Sequence, residues 1–265
     1  MDNINWSRVR TALSQTARRL DASPEQLRDV GQRLPDLLNI CGPASRTNRV
    51  AIRIGETLLL GGNTLVVPTC PDYSYSYGRY DFKTIRGGVS LLLRKHFPFI
   101  VGVLEILPHM QVHVMLADQE ADDAALCRAT HVDRENFLAN VRKSAGSIRA
   151  ALTLRGLAWQ VSLMTEAIPD LREREAQLAQ WIAQEAEFAR HIDSDTHARR
   201  EMYRRMRLRG SALRRLRTID TAAQYVALGE IAQEHNWLIV NHTTTNLAWY
   251  LRSRVGFLHN QVRVY

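Results

Sequence analysis

The chain has 265 residues and a formal net charge of +8, and 45% of its residues are hydrophobic, enough to bury one substantial core. Charged residues and a proline interrupt its most apolar stretch, residues 89–107, so we expect no membrane-spanning helix. No basic segment followed by an apolar one is present at the N-terminus, so we expect no secretory signal and a cytoplasmic location. Its three widely separated cysteines indicate reduced thiols, and we infer no metal site.

The spacing of apolar residues predicts alternating helices and strands after an N-terminal helical region. Ser23 followed by Pro24 is typical of a helix start, Asp133 is expected to cap a long helix, and Pro98 is expected to kink or split the helix that contains it. In chain order, the predicted elements are helices over 6–20 and 24–42, strands over 50–54, 57–60 and 64–70, a helix over 88–107, a strand over 111–117, a helix over 134–154, a strand over 158–164, a helical region over 171–206, a helix over 222–234, a strand over 237–240, a short helix from 246 and a strand over 261–264.

This order of elements predicts the fold class. We expect a Rossmann-like three-layer α/β sandwich with a mostly parallel central sheet over residues 46–265. An N-terminal helical region over residues 1–45 is expected to precede it.

A single thiol follows the first long strand of the predicted sheet. The apolar, β-branched segment from Thr64 ends at Pro68, and Cys70 comes where the chain leaves it. In open α/β sheets ligands bind at the carboxyl ends of the strands, so Cys70 is a candidate nucleophile. A small buried side chain at the end of a strand is an equally good interpretation.

An aromatic loop follows this cysteine and is a candidate substrate surface. Its tyrosines could stack on the terminal adenosine of a tRNA or line an amino-acid pocket. They could equally form a hairpin with one face packed on the protein. The residues of this loop that we single out are Asp72, Tyr73, Tyr75, Tyr77 and Tyr80.

The positive charge is concentrated in one segment. Between Arg199 and Arg217 there are nine arginines and a single acid, Glu201, so this arginine segment accounts for the whole net charge. Arginine binds phosphate bidentately and stacks on bases, so the pattern indicates RNA or another phosphate-rich partner. The alternative is a solvated helix whose arginines pair with the preceding acids Asp170, Glu173, Glu175, Glu185 and Glu187. The nine arginines are Arg199, Arg200, Arg204, Arg205, Arg207, Arg209, Arg214, Arg215 and Arg217.

Two further charged groups are considered. The acids that follow the strand over 111–117 could bind Mg²⁺ or a substrate amine, but a solvated loop that starts a helix is the favoured interpretation. Arginines of the N-terminal helices are candidates for an extended RNA surface or for a homodimer interface. The acids are Asp118, Glu120, Asp122 and Asp123, and the arginines are Arg8, Arg10, Arg18, Arg19, Arg28 and Arg33.

The order of elements and the segment Gln111–Asp122 resemble the catalytic domains of class I tyrosyl- and tryptophanyl-tRNA synthetases. The chain has neither a His-x-Gly-His motif nor a Lys-Met-Ser-Lys-Ser loop, which those enzymes use to bind ATP. A synthetase-like core without these motifs resembles the cyclodipeptide synthases, which start from charged tRNA. The resemblance runs from about Leu65 to the C-terminus.

The family resemblance assigns roles to particular residues. In cyclodipeptide synthases a Gly-x-Ser run ends the first strand and its serine accepts the aminoacyl group; the comparable run here is Pro68-Thr69-Cys70, followed by Ser74. A Tyr and a Glu on one helix hold the amino group, and Tyr225 and Glu230 are their counterparts at a spacing one residue longer. A late Tyr-His pair is matched by Asn241-His242, which keeps the histidine.

The function that this resemblance implies is aminoacyl transfer from tRNA. Aminoacyl-tRNA would be the donor, a small amine or a second aminoacyl group the acceptor, and Cys70 the site of an aminoacyl-enzyme intermediate. An aminoacyl ester is already activated, so no ATP, metal or other cofactor is expected. Tyr225, Glu230 and His242 would complete the catalytic set, with Asp72, Tyr73, Ser74 and Asn241 binding substrate. Two alternatives stay open: a nucleotide-dependent ligase or adenylyltransferase of the same fold, and a non-catalytic RNA-binding protein derived from a synthetase core.

Overall fold

The protein is described by a computed structural model over residues 4–41, 47–69, 73–76, 79–85, 97–123, 127, 132–205, 208–241 and 257–259. Its helices are α1 (Trp6–Arg19), α2 (Pro24–Ile40), α3 (Asn48–Leu59), α4 (Phe97–Ile106), α5 (Arg134–Thr153), α6 (Met164–Ala167), α7 (Leu171–Gln184), α8 (Ala189–Ala198), α9 (Arg200–Arg205) and α10 (Ser211–Glu234). Its strands are β1 (Thr64–Thr69), β2 (Tyr73–Ser76), β3 (Arg79–Ile85), β4 (Gln111–Leu116), β5 (Gln160–Leu163), β6 (Trp237–Asn241) and β7 (Phe257–His259). Among these residues, no helix is long and apolar enough to cross a bilayer.

The central sheet of the described residues has five parallel strands in the order β5-β4-β1-β6-β7. The chain starts in the middle at β1, moves outward through β4 to β5, and then crosses to the other side of β1 for β6 and β7. This reversal makes the β1–β6 border the topological switch point, where ligands of such folds bind outside the carboxyl ends of the strands. The predicted Rossmann-like α/β sandwich is confirmed.

Alternating side chains of the strands enter two cores, one on each face of the sheet. Leu65 and Val67 of β1 belong to the core that also takes buried residues from α1 to α5. Val66 lies between them in sequence and packs into the second core, with Ile231 of α10 and Leu171 of α7. Because both faces are covered, the strands are almost continuously apolar. The N-terminal helices share the first core with the sheet. The division of the chain at residues 45 and 46 stays a prediction.

The structure corrects the prediction of strands over 50–54 and 57–60, because this segment is the helix α3. Thr47 caps the helix by accepting a hydrogen bond from the backbone nitrogen of Val50 at 3.3 Å. The β-branched residues suggested strands, but the buried positions Val50, Ile54 and Gly55 repeat at helical spacing against the first core. Tertiary packing outweighs local propensity here.

Two other predicted helical segments have different limits, and a third is described in part. The helix expected over 88–107 is described over Phe97–Ile106, and the residues before Phe97 lie outside the described part of the chain, so the expected kink or split at Pro98 stays a prediction. The helical region over 171–206 is broken at Glu185 and Arg199 into α7, a 3₁₀ turn, α8 and α9. Helix α10 begins at Ser211, eleven residues before the predicted start at 222.

Several predicted elements are confirmed. Ser23 forms a capping box with Gln26 at the start of α2, and Asp133 caps α5 by accepting a hydrogen bond from the Asn136 backbone at 2.8 Å. Strands β4, β5 and β6 lie where they were expected, and the aromatic loop contributes the antiparallel pair β2–β3. The predicted helix from 246 and strand over 261–264 lie outside the described residues.

Candidate functional site

Asp118 connects the carboxyl ends of β4 and β5. It lies two residues beyond β4 and is 1% exposed. Its Oδ1 accepts a 3.0 Å hydrogen bond from the Thr165 backbone nitrogen, and its Oδ2 accepts a hydrogen bond from the Thr165 hydroxyl. Thr165 lies two residues beyond β5, in α6. A buried carboxylate therefore fixes the two strand ends at the edge of the sheet where ligands of such folds bind.

Arg217 brings the N-terminal part of α10 to the same edge. Its side chain is 7% exposed; Nη2 contacts Glu120 Oε1, and Nη1 lies 3.6 Å from Asp123 Oδ2. Glu120 is part of the 3₁₀ turn Gln119–Asp122, which follows β4. The ion pair therefore holds the start of α10 beside the end of β4.

Gln119 connects this turn to α7. Its Nε2 donates a hydrogen bond to Glu175 Oε1 at 2.9 Å and lies 3.3 Å from the Met164 sulfur. The side chain is buried, with the residue 8% exposed. We use the name edge cluster for the polar group that these contacts assemble, together with the neighbouring carboxyl group of α10. Its members are Asp118, Gln119, Glu120, Asp123, Glu175, Arg217 and Asp220.

Burial and mutual repulsion raise the pKa values of three acids of the edge cluster, Glu120, Glu175 and Asp220. Burial, followed by repulsion from Asp123, raises the pKa of Glu120 to about 8. Burial likewise raises the pKa of Glu175 to about 7. The hydrogen bond from Gln119 favours the charged form and lowers the pKa, but its effect is smaller than that of burial. The pKa of Asp220 is also raised, mainly by burial. Raised carboxyl pKa values at a ligand-binding edge are typical of functional sites.

Three buried polar atoms near this edge have no hydrogen-bond partner among the described residues. They are the acceptors Gln119 Oε1 and Glu120 Oε2 and the donor Arg199 Nε. Buried polar atoms are paired in most proteins, so such atoms call for a physical explanation. The positive charge of Arg199 acts on Glu120 and favours the ionised form of that carboxyl group.

The expectation that Asp118, Glu120 and Asp123 belong to a solvated loop is wrong. Asp118 is buried, and Glu120 and Asp123 are 12% and 21% exposed in their side chains. Asp122 is the more open member of the segment and pairs with Arg134 at 2.6 Å and with Arg172. A sequence signal did exist, because this segment directly follows a buried strand of the predicted sheet.

The structure describes the surroundings of the predicted nucleophile in part. Cys70, Asp72 and His242 lie outside the described residues, as does Arg207. The preceding strand ends are described: β1 ends at Thr69, and the adjacent parallel strand β6 ends at Asn241. In the sequence, Cys70 and His242 thus directly follow the two strands that border the switch point. Tyr73 and Ser74 belong to β2.

The structure does not bring Glu230 to this edge. Helix α10 runs from the edge cluster toward the opposite end of the sheet, where it turns into β6. At about 1.5 Å per residue, Glu230 lies roughly 20 Å along the helix from Arg217. Glu230 is exposed and lines an open groove of about 440 Å³ with Asp170, Glu173 and Arg174. Tyr225, half-buried, packs against the second core between these two positions.

The arginine segment extends from the edge cluster to the surface. Arg200 and Arg209 are exposed, and so is Arg204, which pairs with Glu201 at 2.7 Å. Arg215 pairs with Asp193, an acid outside the set considered from the sequence. Among the described arginines, Arg217 is thus buried, and Arg200, Arg204 and Arg209 are exposed. The remaining described members are Arg199, which is half-buried, Arg205, which belongs to α9, and Arg214, whose Nε donates a 3.0 Å hydrogen bond to the Leu208 carbonyl.

Comparison of the chain with protein-family models, with curated proteins and with solved structures gives no match. The resemblance to cyclodipeptide synthases thus stays a prediction from the sequence.

Replacing Glu175 by glutamine should stabilise the protein at pH 8 and have little effect at pH 5. The raised pKa means that the folded state holds a proton between about pH 4.5 and 7 that the unfolded state releases, so wild-type stability falls as pH rises through this window. Glutamine keeps an acceptor for Gln119 and removes the charge. We expect Glu175→Gln to raise the free energy of unfolding at pH 8 by about 1 kcal/mol more than at pH 5. Urea unfolding of both proteins at the two pH values measures this difference.

The matched control is Glu173→Gln, which changes an exposed acid two residues away on the same helix. It should shift stability by less than about 0.5 kcal/mol at either pH. An equal effect of Glu175→Gln at the two pH values would contradict the assignment of a raised pKa to this carboxyl group.

Proposed function

We propose that the protein is an aminoacyltransferase that uses aminoacyl-tRNA as its acyl donor. The observation that carries the proposal is the position of the arginine segment. Arg217 anchors the start of α10 at the carboxyl edge of the sheet, and the exposed arginines adjoin it. A tRNA bound through these arginines would present its aminoacyl end to the edge where α/β proteins bind substrates.

The order of the strands supports the same assignment. The switch point lies between β1 and β6, and in the sequence Cys70 follows β1, whereas Asn241 ends β6 and His242 follows it. Thiol and imidazole are the groups that nucleophilic acyl transfer requires. The sequence after β1 carries no glycine-rich phosphate-binding run, which disfavours the alternative of a nucleotide-dependent ligase.

The proposed reaction has two steps. The Cys70 thiolate attacks the carbonyl carbon of the aminoacyl ester, the bond to the tRNA ribose oxygen breaks, and a thioester forms. His242 takes the thiol proton and returns it to the departing ribose hydroxyl. An acceptor amine then attacks the thioester, the new amide bond forms, and the thiol is released with the proton that the amine loses. No ATP is consumed because the ester is already activated.

Incubation of the purified protein with a pool of charged tRNAs, without ATP, tests the proposal. Mass spectrometry of the small molecules should show an aminoacylated amine or a dipeptide-sized product that is absent with Cys70→Ala. Pyrophosphate release that requires ATP would instead identify the nucleotide-dependent ligase. Binding of tRNA without any product would identify the RNA-binding alternative.

Removing three exposed arginines should weaken tRNA binding by at least tenfold. The variant carries Arg200→Gln, Arg204→Gln and Arg209→Gln. Each arginine that contacts a phosphate releases a counterion from the RNA on binding, so each lost contact removes one such release. The slope of log K against log salt should therefore fall in magnitude by roughly 2–3. Filter binding between 50 and 200 mM salt measures both quantities.

A variant with the same change in charge elsewhere is the control. Arg142, Lys143 and Arg155 are exposed on α5 and just beyond its end, and their replacement by glutamine should leave the affinity within twofold. Equal losses in the two variants would mean that tRNA responds to net charge, and would contradict binding at the arginine segment.

A further inference from the structure

The edge cluster contains more buried negative charge than its own arginine can neutralise. The cluster has five carboxyl groups. Arg217 pairs with two of them, Glu120 and Asp123, and acts electrostatically on Asp220. From outside the cluster, Arg199 acts on Glu120 and Arg172 acts on Glu175, so the acids still outnumber the arginines that act on them. Leaving carboxylates buried without a cation costs several kcal/mol, as an order-of-magnitude figure. Such a cluster lowers this cost by holding protons or by binding a further cation.

Two acceptor atoms of the cluster are available to a hydrogen-bond donor. Gln119 Oε1 and Glu120 Oε2 are buried and have no donor among the described residues. The Gln119 amide is oriented, because its nitrogen already donates to Glu175 and lies against Met164. A ligand that fills these positions must donate hydrogen bonds, and the surrounding carboxylates favour a positive charge on it.

The carboxylates of the edge cluster are not arranged as a metal site, and two of their side chains are partly exposed. Within the described part of the chain, no three His, Cys, Asp or Glu side chains are arranged to hold a metal ion. The side chains of Glu120 and Asp123 retain 12% and 21% exposure, so a substrate at the strand ends can reach them. Lysine-type ammonium groups meet this requirement, because they donate three hydrogen bonds.

The position of the cluster indicates which ammonium group of a substrate it fits. It lies beyond β4 and β5, which are one and two strands away from β1 and thus about 5–10 Å from the strand that Cys70 follows. An α-ammonium lies about 2.5 Å from the reacting carbonyl carbon, whereas a lysyl side-chain ammonium reaches about 7 Å. The longer distance matches the separation of the strands.

We propose that the edge cluster binds the cationic side chain of a basic amino-acid substrate, with Gln119, Glu120 and Glu175 as its contacts. This assignment names a substrate class for the aminoacyl transfer and in that respect rests on the proposed function. The same chemistry serves a basic aminoacyl donor or a basic acceptor amine.

Calorimetric binding of lysinamide and norleucinamide tests the inference without tRNA. The two amides differ in the side-chain ammonium alone. At pH 7.5 the protein should bind lysinamide at least tenfold more tightly than norleucinamide. Lysinamide binding should also release protons, measured in two buffers of different ionisation enthalpy, since the cation favours the charged form of cluster acids with raised pKa values.

Variants connect the binding to the cluster. Glu175→Gln should reduce lysinamide affinity at least fivefold while unfolding at no lower urea concentration than wild type, and the exposed control Glu173→Gln should bind like wild type. Equal affinity for the two amides, or no heat of binding with lysinamide, would overturn the inference and leave buried water as the partner of the two acceptors.

The outcome is separable from that of the proposed function. Selective lysinamide binding without any transfer from charged tRNA would keep the cation site and reject the aminoacyltransferase. Where transfer does occur, preferential consumption of lysyl- or arginyl-tRNA would place the basic group on the donor, and lysinamide in the product would place it on the acceptor. Transfer with no preference of either kind would overturn the inference alone.

Discussion

Replacing Arg217 by methionine should lower the free energy of unfolding by about 3–5 kcal/mol, because the change leaves two buried carboxylates without their cation. Arg217 is 7% exposed and contacts both Glu120 and Asp123, whose side chains are 12% and 21% exposed. Urea unfolding followed by circular dichroism at pH 9, above the pKa of about 8 of Glu120, measures the loss. The loss should shrink at pH 5, where Glu120 holds its proton in the folded protein.

Two further variants isolate the contribution of the buried charge. Arg215→Met removes a largely exposed pair with Asp193 on the same helix and should cost less than about 1 kcal/mol. Adding Glu120→Gln to Arg217→Met should recover part of the stability, because it removes one of the unpaired charges. A cost below about 1 kcal/mol for Arg217→Met alone would contradict its role as the anchor of α10.

Replacing Asp118 by alanine should destabilise the protein by about 3 kcal/mol, since two hydrogen bonds to a buried carboxylate are lost together. These bonds join the segments after β4 and β5. The amide of Thr165 should therefore exchange its hydrogen faster in the variant than in wild type, at temperatures below the unfolding transition. Asp118→Asn, which keeps the shape of the side chain, should cost less. Differential scanning calorimetry and hydrogen exchange give both readouts.

The control for Asp118 is Asp133, which also accepts a backbone hydrogen bond but is exposed at the start of α5. Asp133→Ala should cost about 1 kcal/mol, the usual effect of removing a helix cap. If the two alanine variants were equally stable, burial would add nothing to the Asp118 interaction, and the description of this edge would be wrong.

The sequence was sufficient for the fold class because the signals involved are local or periodic. Strands β1 and β4 are apolar on both faces, as expected for buried parallel strands, and the start of α2 has its capping residues next to one another. The segment of α3 was misread as strand because its β-branched residues fit both structures, and the choice depends on contacts with the distant first core.

The edge cluster could not be derived from the sequence in the same way. Asp118 and Thr165 are 47 residues apart, and Glu120 and Arg217 are 97 apart, so their meeting depends on the order of the strands. An acidic segment beside a distant arginine segment is usually a pair of solvated surfaces. What could be predicted was the edge itself, because Cys70, Asp118 and Asn241 each come at or just after the end of a parallel strand.

The most direct test of aminoacyl transfer is the intact mass of the protein, quenched in acid seconds after mixing with charged tRNA and without added acceptor. We predict that a fraction of the wild-type protein gains the mass of one aminoacyl residue, on the peptide that contains Cys70, and that Cys70→Ala gains none. No added mass on the wild-type protein, together with unchanged levels of charged tRNA, would contradict the account.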